Sequence, residues 1–306
     1  MKFRIGTRGS KLALWQAEWV KGELEAHGHE CDLVTIETKG DKILDVSISK
    51  IGSKGVFTEE IEDQLLRGSI DLAVHSAKDM PSRLMEGFEL IAFSEREKEN
   101  DVLVSEQEIN FSSKIRIGTS STRRVAFLRH YYPHVDIVPV RGNLQTRIRK
   151  MKEGHCDALL LAYAGVHRMG YQDMIKHTLD LDEFTPAVGQ GSMAIEIYKN
   201  LEAEKKAEVT RIINHDPTHT RLKAERAFLR TLEGGCSIPV FALAELNENQ
   251  VKLSGGLVSL DGKEMINDVF EGPAENAEEL GINLGKSILE RGGSELLRKI
   301  REELDH

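Results

Sequence analysis

Polar and apolar positions alternate over residues 2–6 (KFRIG) and then recur every three to four residues, so a short strand is followed by a helix over 11–27. Leu12, Trp15, Trp19, Val20 and Leu24 form the apolar face of that helix, and Ser10 stands where its first free amides need an acceptor. Further strands are predicted over 33–38, 71–75 and 90–93, with a helix over 58–67. Such alternation predicts a mostly parallel sheet with both faces covered.

The pattern then restarts. Strands over 101–105, 114–118, 136–140 and 157–161 alternate with helices over 121–132 and 144–153, giving a second α/β domain of similar size. Asp216 reads as an N-cap with Pro217 at the first helical position, opening a helix that carries Leu222, Phe228, Leu229 and Leu232. Residues 240–246, 250–260 and 264–271 alternate like half-buried antiparallel strands, and helices over 274–291 and 294–303 complete a third, α+β domain. Residues 39–54, rich in Gly, Ser, Lys and Asp without a clear period, read as a mobile loop.

Length agrees with this division, because 306 residues exceed one ordinary core. The opening MKFRIGTR lacks the apolar run of a signal peptide, and the longest apolar stretch, residues 158–166, is too short to span a bilayer, so a cytoplasmic protein with no membrane partner is expected. A net charge of -9 disfavours non-specific nucleic-acid binding. Cys31, Cys156 and Cys236 are odd in number and form no CxxC pair, which argues against a disulfide framework or a zinc site.

Three strand-to-helix junctions share a composition: GTRGS at 6–10, GTSSTRR at 118–124 and VRGNLQTR at 140–147. Each offers small residues, free amides at a helix N-terminus and one or two arginines, which favour anions. Taken singly, each is equally well a capped helix with a solvated arginine; together they predict a cleft for a multiply anionic ligand. Neither a phosphate-loop spacing nor GxGxxG occurs, so carboxylates fit as well as phosphates.

In VHSAKDMP at 74–81 an apolar strand gives way to polar side chains and then to a proline. Asp79 beside Lys78 is placed to steady a cation or to shuttle a proton; the plainer alternative is that Asp79 caps the turn. His75 reads as structural, since the sequence places no acidic partner or second histidine beside it. Cys236 follows Gly234 and Gly235 and precedes Pro239, at a joint between helix and sheet, whereas Cys31 and Cys156 suit buried positions. No histidine pairs with Cys236 as a thiol protease requires, leaving covalent attachment as a role for it.

These segments, with TRGSKLALWQA at 7–17, KGVF at 54–57, VRGN at 140–143, PAVGQG at 186–191 and LEGGC at 232–236, occur in an order that resembles the porphobilinogen deaminase (hydroxymethylbilane synthase) family. The resemblance runs from Arg4 through the C-terminal helices. Thr122 replaces an expected leucine and Ser192-Met193 a commoner pair, neither at a charged or thiol position. The resemblance implies a dipyrromethane cofactor joined by a thioether to Cys236. It further implies head-to-tail condensation of four porphobilinogen molecules, with loss of ammonia, and hydrolytic release of hydroxymethylbilane in haem biosynthesis.

By the same resemblance, Asp79 is the catalytic aspartate that stabilises the azafulvenium cation. The acetate and propionate arms fall to Arg8, Ser10, Ser76, Lys78, Arg123, Arg124, Arg141, Arg147 and Arg168, and Lys50, Lys54 and Phe57 belong to a loop over the site. The implied fold is two periplasmic-binding-protein-like α/β domains flanking a cleft, 1–94 with 193–211 and 95–192, plus a smaller C-terminal α+β domain, 216–306, in a monomer. The linear order of elements misses that return, although residues 193–197 (MAIEI) do read as an extra strand. Two rival readings stand beside this one: a non-enzymatic anion receptor, and a thiol-dependent transferase with a transient adduct on Cys236.

Overall fold

The computed structural model describes residues 1–39, 58–235 and 237–305. The first lobe opens with β1 (Lys2–Arg8), α1 (Lys11–Ala26), β2 (Glu30–Ile36), α2 (Glu59–Leu66), β3 (Leu72–Ser76) and β4 (Phe88–Phe93). The second contains β5 (Asp101–Val104), β6 (Arg116–Gly118), α3 (Thr122–Tyr131), β7 (Asp136–Val138), α4 (Leu144–Lys152), β8 (Ala158–Ala162), α5 (Tyr163–Arg168) and β9 (Ile175–Thr178). The chain then returns through β10 (Met193–Tyr198) and α6 (Ala203–Ile213). The C-terminal part comprises α7 (Asp216–Thr231), β11 (Val240–Asn247), β12 (Gln250–Val258), β13 (Met265–Pro273), α8 (Ala277–Ile288) and α9 (Ser294–Asp305).

The first sheet runs β2-β1-β3-β10-β4 and the second β7-β6-β8-β5-β9. Both are mixed rather than mostly parallel. In the first, β1 lies parallel to β2 and β3, while β10 is antiparallel to β3 and β4. In the second, β6 lies parallel to β7 and β8, while β5 is antiparallel to β8 and β9. A local pattern of alternating elements does not encode direction for a strand such as β10, which arrives from the other lobe. The third sheet, β11-β12-β13, is an antiparallel meander.

Ser10 caps α1 as expected, its Oγ accepting from the Ala13 amide at 3.3 Å. The buried face of α1 is Gln16, Ala17, Val20 and Leu24; Trp15 lies just off it, 37% exposed, with the Arg168 guanidinium 5.5 Å from its ring centre. At α7 the cap falls on His215, with Asp216 already helical, because the Asp216 carboxylate takes the Asn214 side-chain amide at 2.7 Å.

One buried carboxylate ties the three parts together. Glu225 of α7 accepts from Arg96 at 2.5 Å, from the Gly189 amide at 2.9 Å and from the Ala244 amide at 2.8 Å. Arg96 and Gly189 lie on the two segments that cross between the lobes, and Ala244 lies on β11, so both crossovers are pinned to the third sheet. Phe241 of β11 adds an apolar tie by packing 4.9 Å from Phe127 in the second-lobe core.

Candidate functional site

β3 ends at Ser76, and Ala77–Asp79 forms a 3-10 turn that brings Lys78 and Asp79 to the end of the first sheet. Gly189, at φ 75°, lets the second crossover lie against this turn: a Cβ there would stand 3.0 Å from the Ala77 carbonyl carbon and 3.2 Å from the Lys78 nitrogen. Arg8, Ser10, Gln16, His75, Ser76 and exposed Asp79 line one cavity. Within it Gln16 Nε2 donates to Ser76 Oγ at 3.0 Å.

Lys78 Nζ lies 3.4 Å from Gln190 Oε1, and Gln190 Nε2 donates to Asp101 Oδ1 at 2.9 Å. Burial pulls the Lys78 ammonium down to about 8, helped by Arg124 and opposed by Asp79 and Asp101. Across the cleft, burial lowers Arg147 to about 10, with Arg124 acting the same way and Asp79 opposing. Arg147 Nε donates to the Gly142 carbonyl at 2.8 Å, and its helix is capped by Asn143, whose Oδ1 accepts from the Thr146 amide at 2.9 Å. Arg141 acts on Arg147 as a further neighbouring cation. Residues from all three arginine-bearing junctions therefore converge around the Lys78–Asp79 turn.

The second junction turns inward. Arg123 Nη2 donates to Asp101 Oδ2 at 2.6 Å and Arg124 Nη2 to Asp101 Oδ1 at 2.8 Å; all three side chains are buried. Further bonds run from Arg123 to the Thr185 carbonyl and from Arg124 to the Leu160 carbonyl. Burial alone would push the Asp101 carboxyl up, but the two guanidiniums overcome it and hold the group well below the usual carboxylate range. Arg168 donates to the Gly191 carbonyl at 2.7 Å, placing it on the second crossover.

The fold gives His75 an acidic partner that its neighbours in the sequence do not: its Nε2 lies 3.0 Å from Glu196 Oε2, and both side chains are buried. Glu62 of α2 completes the group; burial, with Glu196 nearby, raises its carboxyl. Gln16, Gln190, Asp101 and Glu196 were missed as contributors to the site. Gln16 had a signal, a polar residue at the helical spacing of a buried face; Glu196 had none, since its pairing with His75 spans the return of β10.

Cys236, Lys50, Lys54 and Phe57 lie outside the described residues. On either side of Cys236, Glu233 adopts a left-handed conformation at φ 49°, and the Ile238 amide donates to the Gly235 carbonyl at 3.1 Å. A Cβ on Gly234 would stand 2.6 Å from Leu229 Cδ1, so a larger residue here would have to displace that side chain of α7. Burial pushes the thiols of Cys31 and Cys156 up to about 11, leaving both inert near neutral pH. No helix among the described residues is long and apolar enough to cross a membrane.

The fold and site define a two-lobed α/β protein with cations gathered around one exposed carboxylate. The family model for "Porphobilinogen deaminase, dipyromethane cofactor binding domain" matches residues 3–206, and that for "Porphobilinogen deaminase, C-terminal domain" matches residues 219–290. The chain belongs to the porphobilinogen deaminase family, transferases of tetrapyrrole biosynthesis that work with a dipyrromethane cofactor.

The porphobilinogen deaminase of Desulfosudis oleivorans is 55% identical over 99% of this chain and 99% of its own length. That of Cytophaga hutchinsonii is 55% identical over 98% and 97%, respectively. Among solved structures, the methionine-binding protein MetQ is similar at a TM-score of 0.44 and 11% identity, over 69% of this chain and 89% of that one.

Proposed function

We propose that Asp79 is the catalytic carboxylate of this transferase and that Cys236 is the attachment point of its dipyrromethane. The observation that carries the reading is the placement of Asp79 at a turn shared with Lys78 and opposed by Arg147, the two cations lowered by burial and by Arg124. Cations in that state gain from a carboxylate ligand, so the residues present fit a cofactor and substrate that carry acetate and propionate arms. When bound, the dipyrromethane supplies the tether and the nucleophilic carbon.

Lys78, Arg147, Arg8 and Arg141 bind and orient the carboxylate arms, with Ser10 and Ser76 adding hydroxyl donors. Arg168 contributes from the second crossover. Arg123 and Arg124 act through the charge they hold at the cleft wall with Asp101. Asp79 stabilises the positive charge that develops on the incoming pyrrole as its amine departs, and its carboxylate accepts the proton released when the new carbon–carbon bond forms. Four porphobilinogen molecules and one water give hydroxymethylbilane and four ammonia.

Lys50, Lys54 and Phe57 are assigned to the segment that covers the cleft. Residues 1–94 with 193–211 form the lobe carrying Asp79, 95–192 the arginine-bearing lobe and 216–306 the part carrying Cys236, in a cytoplasmic monomer. Incubation of the purified protein with porphobilinogen tests the reading: four ammonia released per linear tetrapyrrole support it, whereas binding without ammonia release would favour an anion receptor.

A further inference from the structure

A second cavity, of about 530 Å³, opens on the other side of the segment that follows Asp79. Ser82, Arg83, Leu84, Leu90 and Phe93 of the first lobe line one side of it, and His219, Leu222, Lys223, Arg226 and Arg230 of α7 line the other. Glu278 is the one acidic residue in this lining, against Arg83, Lys223, Arg226 and Arg230. It lies 2.6 Å from Arg230 and 4.0 Å from Lys223, and so compensates part of an excess of positive charge in a chain whose net charge is -9.

Arg226 is the telling residue. It is only 8% exposed, its Nη2 donates to the Pro81 carbonyl at 2.9 Å, and its buried Nη1 finds no partner among the described residues. Burial lowers this guanidinium to about 10, Arg230 beside it acts the same way and buried Glu196 opposes them, so it is still charged at neutral pH. Glu196 offsets part of this charge through space but makes no hydrogen bond to Nη1, and a buried donor left without a hydrogen-bond partner is costly unless an anion completes it. Leu84 and Leu90, backed by buried Phe93 and Leu222, give the same cavity an apolar side, and its volume falls in the range of small-molecule sites.

We propose that this cavity binds an amphipathic pyrrole polycarboxylate, its ring against the Leu84 and Leu90 side chains and its carboxylates on Arg226, Arg83 and Lys223. The site is distinct from the cleft of Asp79 and is joined to it through the Arg226 bond to Pro81, two residues beyond Asp79. The choice of a pyrrole ligand rests on the proposed function; the charge and apolar wall do not.

Binding is tested without turnover, by calorimetry of the cofactor-loaded protein with three probes. These are a pyrrole carrying acetate and propionate but no aminomethyl group, a stable linear tetrapyrrole octacarboxylate, and inorganic phosphate. The expected result is a binding event that persists in Arg141→Leu, whose cleft is impaired, and weakens at least roughly tenfold in Arg83→Glu/Lys223→Glu. Both substituted side chains are exposed, so that variant should fold, and its melting temperature checks it. Loss of the monopyrrole event would identify a substrate-responsive site, and loss of the tetrapyrrole event alone a product-responsive one. Binding of phosphate but neither pyrrole, binding indifferent to the double variant, or no binding outside the cleft would each overturn the proposal. Because ammonia release is not the readout, failure here leaves the catalytic reading intact, and failure of catalysis leaves this binding test standing.

Discussion

Lys78 and Gln190 meet across the base of the cleft at 3.4 Å, Nζ to Oε1, although 112 residues separate them in the chain. Gln190 passes the contact on to buried Asp101, so the ammonium beside Asp79 and the carboxylate that holds Arg123 and Arg124 belong to one polar path. That path joins the Lys78–Asp79 turn of one lobe to the arginine-bearing junction of the other.

If Lys78 binds carboxylate as proposed, it should set an alkaline limit on activity. Its ammonium titrates near 8, so kcat/KM should fall as pH rises through about 8, and Lys78→Arg should carry the limb upward. The fold behaves oppositely. The unfolded chain keeps this proton to about 10.4, binds more protons than the native state between roughly 8 and 10.4, and so loses ground as pH rises. A pH profile with parallel thermal melts checks this; activity unchanged to pH 9, or lost only together with the fold, would contradict it.

Asp101 is the opposite case. Its carboxyl is depressed in the folded state, so its stabilising contribution is complete above the unfolded carboxylate range, near pH 4, and is lost as pH falls below it. Asp101→Asn leaves two buried guanidiniums uncompensated and should cost about 3–5 kcal/mol at neutral pH, measured by urea unfolding. The variant should also lose part of the acid dependence of stability seen in the parent.

Asp79 is exposed, so Asp79→Asn should leave the melting temperature unchanged. Its kcat should fall about 10²- to 10³-fold, because the charge facing the developing cation is gone. Steady-state rates of ammonia release, with covalent loading checked by mass, separate this from loss of cofactor.

Arg147 stands among like charges, so Arg147→Leu should cost little stability yet weaken carboxylate binding by about 2 to 5 kcal/mol. The deficit should appear in kcat/KM and as enzyme stalled with partly extended chains, visible on native gels. An unchanged kcat/KM would remove Arg147 from the binding set.

What the sequence makes legible here is local. The three junctions announce themselves through small residues and arginines within a few positions, and Ser10 caps as its position predicts, while the Asn143 cap is seen only in the fold. What stays hidden depends on pairing at a distance. The partner of His75 is Glu196 on a strand that returns from the other lobe, and the partners of Arg123 and Arg124 converge on Asp101, so an arginine that looks free for ligand in the sequence is held by a carboxylate in the fold. The mixed first sheet follows from the same return of β10, and the mixed second sheet from the entry of β5 antiparallel to β8 and β9, neither of which alternation of elements alone can register.

The central claim, a primer on Cys236, is tested most directly by weighing the intact protein under denaturing, reducing conditions and mapping any excess by peptide digestion. The account predicts an excess equal to two linked pyrrole units, confined to the peptide bearing Cys236 and absent from Cys236→Ser. A bare sequence mass that persists after incubation with porphobilinogen, or an adduct on any other residue, would contradict it.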